Sequence, residues 1–193
     1  SREPQVSNPS SKRSILNAIG FCLMSLGRLH EAVPFYERFT KLAVEAQDWS
    51  NANHGYQNLA NLHAALGALE QSAAASRQAL DLARRAENKD DEKVSLAFQG
   101  LATHLLGDLQ TASDAFAQAE KLEQEIDSST RYLYSLRGIN HAIHLRRTGQ
   151  SDYARRVTDA NLQICERNHW ANQISWCHRV LGDLDSDAGN PAS

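Results

Sequence analysis

Proline is scarce in this chain, with four in 193 residues. Long stretches are therefore left in which nothing removes a backbone donor or clashes with a preceding helical turn. Aromatic residues are also few, at 7%, and no signature of a sheet is present. No apolar run approaches the roughly 18 residues that a membrane-spanning helix needs, so no membrane partner is expected. Charge of one sign is lacking as well. With 20 Lys and Arg against 23 Asp and Glu, a net charge of -3 and a pI near 6.2, there is no overall electrostatic case for nucleic acid or an anionic membrane. Cysteine is limited to Cys22, Cys165 and Cys177, an odd number at unpatterned spacing. That excludes a disulfide framework and suits reduced thiols in a cytoplasmic protein. No nucleophile stands near a base, no glycine loop is arranged to cradle phosphate, and no carboxylates pair in a catalytic pattern. The expectation is a protein that is not an enzyme and takes no cofactor.

What the chain does have is a repeat. Glycine recurs at Gly27, Gly67, Gly107, Gly149 and Gly189, in steps of 40, 40, 42 and 40 residues. Seven residues before each hinge the side chain is always small: Gly20, Ala60, Gly100, Ala142 and Gly182. Five residues after the first four hinges it is small again, at Ala32, Ser72, Ala112 and Ala154. Four further on stand Tyr36, Ser76, Phe116 and Thr158, a mixed column expected to fill the gap to the next repeat. The stretch Tyr56–Ala83 shows the unit plainly. Tyr56, Leu59, Ala60 and His63 share one helical face, Gly67 stops that helix, and Leu69, Ser72, Ser76, Ala79 and Leu82 line a second helix with a small-residue seam.

These columns resemble the tetratricopeptide repeat. The carrying segments are Ile19-Gly20 with Gly27, Leu29 and Ala32, and Gln99-Gly100 with Gly107, Leu109 and Ala112. The resemblance covers nearly the whole chain from Arg13. It departs from the family pattern at Gly138 and His178, where a large apolar residue is usual, and at Ser151, where Leu or Tyr is usual. The 40-residue step, against the common 34, is similar to the long-helix variants of LGN-type adaptors and of the sensor arms of bacterial signalling ATPases. The implied fold is all-α, a right-handed superhelix of four helical hairpins and part of a fifth. Residues 1–12 read as a polar linker. The repeats then run over 13–52, 53–92, 93–134, 135–174 and, in part, 175–193, which suggests a fragment of a longer protein. Pro34 falls in the opening turn of a helix over Leu29–Glu45, and Trp49 and Trp170 sit at nearly equivalent corners with core packing as their expected role.

Several clusters look like sites and read more simply as structure. Asp183, Asp185 and Asp187 begin like a calcium loop, but Ala188 stands where that loop needs glycine. Cys165 and His169 are spaced to face one zinc ion, yet the adjacent Cys177 and His178 diverge on a helix. His141 and His144 share a face, and His141 occupies a core column. No metal is expected at any of these.

In tetratricopeptide arrays the first helices line a concave groove. Carried onto this chain, the groove is Asn17, Phe21 and Met24; then His54, Gln57 and Asn61; then Val94, Ala97, Leu101 and Leu105; then Leu136, Ile139, Ile143 and Arg146. Its middle is apolar and its flanks polar, as suits a partner peptide or an amphipathic helix. The family's clamp for C-terminal carboxylates is not matched: Asn58 fits, but Val94 and Phe98 occupy the basic positions. Eight arginines face three acids between Arg131 and Arg179, a bias that would orient an acidic segment around Arg137, Arg146, Arg147, Arg155 and Arg156. The leading expectation is a protein-interaction scaffold with possible end-to-end self-association. The alternative is a ligand- or self-sensing arm of a signalling ATPase or transcription regulator.

Overall fold

The computed structural model describes residues 8–189, and among them lie nine α-helices and no strand. In order these are α1 (Pro9–Ser25), α2 (Leu29–Glu45), α3 (Trp49–Ala65), α4 (Leu69–Arg85), α5 (Lys89–Leu106), α6 (Leu109–Ile126), α7 (Ser135–Arg147), α8 (Ser151–Arg167) and α9 (Ala171–Asp187). All are 17 or 18 residues long except α7, which has 13. The fold is an all-α repeat solenoid of four hairpins followed by the first helix of a fifth.

Helix ends are set locally. Asp48, Asn88 and Asp108 each accept the backbone N–H three residues on, at 3.1–3.2 Å, covering a donor the first turn leaves unpaired. Asn8 caps α1 in the same way and Pro9 follows at the first helical position, where its missing N–H is harmless. The helix therefore opens at residue 9, and the linker expected over 1–12 is helical in its described part. Residues 1–7 lie outside the described range. Pro34 sits at the sixth position of α2, beyond the opening turn expected for it.

The hinge glycines all take positive φ, from 72° to 88°. The corners between hairpins do the same without glycine: Gln47, Glu87 and His169 have φ of 51–57°. The corners at Gly27, Gln47, Gly67, Glu87, Gly107, Gly149 and His169 are each closed by a six-to-one backbone bond, such as Arg28 N–H to Leu23 C=O and Asn88 N–H to Ala83 C=O. Turns thus recur about every 20 residues, twice as often as the glycines. The exception is the third inter-hairpin corner. Asp127 is extended, with φ of -136°, and residues 127–134 cross as an irregular loop before α7 begins.

Successive first helices pack on one another (α3 on α5, α5 on α7, α7 on α9), while each second helix packs on the first helices before and after it. The first helices form the inner layer and the second helices the outer one. The core runs between the layers through Leu59, Leu62, Leu96, Phe116, Leu133, Ile139, Val157 and Val180.

The small columns have a sharper role than close approach alone. A Cβ on Gly20 would lie 3.0 Å from the Tyr36 ring, and one on Gly100 would lie 2.9 Å from the Phe116 ring. Each aromatic of the mixed column therefore fills the space over the small residue of its own hairpin and reaches the next repeat as well, Tyr36 clustering with Leu59 and Ala60 and Phe116 stacking on His141. Where the first helix carries Ala60 or Ala142, the second carries Ser76 or Thr158. Large meets glycine and small meets alanine, which keeps helix separation constant.

Trp49 is half exposed, beside Leu82 and Arg85 at a corner, instead of in the core. Gly138 has its own reason: a Cβ there would come within 2.3 Å of the Leu133 carbonyl oxygen. The large residue usual at that position is excluded because the 127–134 loop folds its backbone into that space.

Candidate partner-binding surface

The inner layer presents one face of α1, α3, α5, α7 and α9. Polar bridges join its successive helices at the N-terminal end. Asn58 donates to Asn17 at 3.0 Å, the Asn61 amide approaches Met24 Sδ at 4.0 Å, and His54 Nε2 lies 3.2 Å from Asp91 Oδ1. Further along, the face becomes apolar. There Leu105 is 39% exposed and Val94, Leu101, Leu136 and Ile143 are partly covered, while Phe21, on α1 among the polar bridges, is 60% exposed.

Three of the fourteen groove residues expected from sequence are inside the protein. Gln57 is buried and donates to Asn53 Oδ1 at 2.6 Å and to Ser95 Oγ at 3.1 Å, forming a polar seam between α3 and α5. Ala97 and Ile139 belong to core clusters. All three sit where one inner helix packs against the next, so neighbouring repeats cover them. Arg146 is engaged as well, holding Asp187 at 2.6 Å and Asp183 at 2.7 Å. Arg155 pairs with Asp185. The aspartates that begin like a calcium loop are thus the counter-charges of α7 and α8. Two of the five arginines expected to greet an acidic partner are neutralised by α9, leaving Arg137, Arg147 and Arg156.

Among the exposed apolar side chains that escaped the sequence reading are Leu26 at 70%, Leu106 at 40% beside Leu105, and Trp176 at 42%. Trp176 stands thirteen residues before Gly189, the column that holds His54, Val94 and Leu136 before their own hinges. Extending that column into the fifth repeat would have found it.

Cys165 and Cys177 are fully buried against each other's helices, whereas His169 and His178 are exposed. Burial pushes the Cys177 thiol up to about 12. Among the described residues no three His, Cys, Asp or Glu side chains are gathered so as to hold a metal ion. His141 and His144 are both buried around Phe116, with His141 stacked on its ring at 5.0 Å. No described helix is long and apolar enough to cross a membrane.

The tetratricopeptide repeat profile TPR_8 matches residues 14–43 and 54–85, which are the first two hairpins less their ends. The chain carries tetratricopeptide repeats. The repeat fold extends beyond the matched segments. BtubC (BKLC) from P. vanneervenii superposes with a TM-score of 0.70 at 17% identity, over 94% of this chain and 75% of that one. A putative kinesin light chain with nearly identical TPR-like repeats from Podosopora anserina superposes with a TM-score of 0.66 at 15% identity, over 95% of this chain and 90% of that one. At such identities the likeness is one of fold. A comparison with curated proteins finds no match. Tetratricopeptide arrays are generally scaffolds for protein partners, and nothing in these matches points to catalysis.

Proposed function

We infer that this tetratricopeptide array is an interaction module whose inner face receives the apolar side of a partner peptide or helix. The observation that carries this reading is the set of apolar side chains Phe21 on α1, Leu101 and Leu105 on α5 and Ile143 on α7, of which Phe21 and Leu105 are exposed and Leu101 and Ile143 partly covered. Phe21, Leu101 and Leu105 lie outside the core clusters while Ile143 packs at the edge of one, and an apolar strip rimmed by polar side chains is what a helix or extended segment covers. The asparagine-rich N-terminal end would hold the polar side of the same partner.

The test compares the wild-type chain with Leu105→Glu/Ile143→Glu in pull-downs, after circular dichroism shows equal helix content. Truncating central contacts of this kind typically removes about 2 kcal/mol or more of binding. Retention of the same proteins by both forms would show that partners do not use this face. Equal depletion accompanied by loss of helix would mean that Ile143 serves the core; Leu105→Glu alone, at a more exposed position, then decides.

A further inference from the structure

The outer layer is interrupted where the third inter-hairpin corner is lost. Because residues 127–134 bridge the gap as a loop, α6 touches α7 much less than α2 touches α3 or α4 touches α5. A cleft opens between α6 and α8, in two connected parts of about 590 Å³ and 360 Å³ that share Gln124 and Tyr153. Volumes of this size suit a small molecule.

The two parts differ in chemistry. The outer one is walled by Arg131 and Arg156, with Ser128 at its rim. Each arginine lies over a tyrosine ring, Arg131 at 5.6 Å from Tyr132 and Arg156 at 5.3 Å from Tyr153. No described carboxylate pairs with either. Stacking fixes their planes and leaves the N–H edges for an anion. The inner part is floored by Glu120 and His141, which are more than nine-tenths buried. Tyr153 donates its hydroxyl to Glu120 Oε2, but Glu120 Oε1 and His141 Nδ1 are left without hydrogen-bond partners. They stand 3.6 Å apart, too far to satisfy each other. Both atoms are covered in this structure; a hydroxyl, which both donates and accepts, satisfies such a pair once the covering side chains shift, whereas a second anion would be repelled by the carboxylate.

We propose that this outer cleft binds a small phosphorylated polyol, with its phosphate between Arg131 and Arg156 and a hydroxyl between Glu120 and His141. Orientation follows from the lining: the phosphate stays between Arg131 and Arg156, and the polyol reaches the part lined by Glu120, His141 and Lys121. The site lies on the face opposite the inner groove and does not depend on the partner reading.

The deciding experiment is isothermal titration of the chain with glucose 6-phosphate, ribose 5-phosphate, unphosphorylated glucose and inorganic phosphate at constant ionic strength. A sugar phosphate is expected to bind about tenfold or more tightly than either inorganic phosphate or glucose. Arg131→Ala/Arg156→Ala, at exposed positions that leave the core intact, should remove that binding. Glu120→Gln should abolish the preference over inorganic phosphate while leaving the affinity for phosphate itself. Equal affinity for inorganic phosphate and both sugar phosphates would reduce the cleft to a general anion site and overturn the proposal. Absence of binding at about 1 mM, or indifference to the arginine substitutions, would overturn it also.

Discussion

At the residue scale the pairing of glycine with an aromatic is the most consequential feature. Gly100 leaves room for Phe116, whose ring atoms would lie 2.9 Å from an added Cβ. Gly100→Ala improves helix propensity by about 1 kcal/mol, but overpacking against a fully buried ring costs about 1–3 kcal/mol. The net expectation is a loss of about 1 kcal/mol in urea denaturation. In a Phe116→Leu background, where the ring is gone, the same change should become neutral or stabilising. Identical effects in both backgrounds would show that the ring is not what excludes the methyl group. Both columns were visible in the sequence. Their reciprocity was not read, because the partner of Gly100 stands sixteen residues away on another helix and only packing pairs them.

At the element scale the chain turns by one device at two kinds of position. The left-handed corner residue is glycine inside hairpins and Gln47, Glu87 or His169 between them. A side chain in that conformation costs roughly 1–2 kcal/mol, partly offset by the lower unfolded-state entropy of a non-glycine residue. Glu87→Gly is therefore expected to raise stability by up to about 1 kcal/mol. The thermal midpoint of that variant is the check, and a fall would show that the Glu87 side chain contributes more than its backbone strain removes. The glycine hinges announced the hairpins because only glycine is free of this strain. The corners between hairpins carried no such mark, although the 42-residue step from Gly107 to Gly149 and the glycine at 138 set the third corner apart from the regular one at Glu87. The cleft between α6 and α8 follows from that corner; the longer step marked its place but not the space that the loop leaves.

At the scale of the whole molecule, repeats are joined by buried polar contacts, and one of them makes the array acid-sensitive. Ser113 donates to the Leu109 carbonyl at 2.9 Å, so its oxygen accepts from His144 Nε2 at 2.8 Å. His144 Nδ1 is then left to accept from His104 Nδ1 at 3.1 Å. A proton on His144 Nδ1 would set two donors face to face in a buried site. Burial first, then the fields of His104, His141 and Arg147, lower the His144 pKa from 6.5 to about 4. Because the folded value lies below the unfolded one, the unfolded chain binds more protons throughout that interval. Stability is thus complete above pH 6.5 and declines as pH falls towards 4, by about 2 kcal/mol at pH 5. Urea midpoints at pH 7, 6 and 5 should show this slope, and His144→Gln, which keeps a donor and an acceptor, should flatten it. A slope that persists unchanged in that variant would place the acid sensitivity elsewhere. His141 and His144 stood in the sequence as a pair on one face with His141 in a core column, and His104 was not singled out; the junction of two repeats depends on the 3.1 Å approach of His104 and His144, forty residues apart.

Periodicity by itself determined the helical repeat, the hinge positions and the inner-layer columns, since a helix advertises its buried face at every third or fourth residue and glycine advertises its own dihedral freedom. The resemblance to tetratricopeptide repeats put Phe21, Leu101, Leu105 and Ile143 among the expected groove residues. Only the tertiary structure decided which of the column residues are open to a partner. Gln57, Ala97 and Ile139 have the same spacing as their neighbours, yet the next helix covers them. Arg146 and Arg155 look like free cations until α9 brings its aspartates to them. Exposure and counter-charge belong to contacts between elements far apart in sequence, and a local pattern carries no record of them.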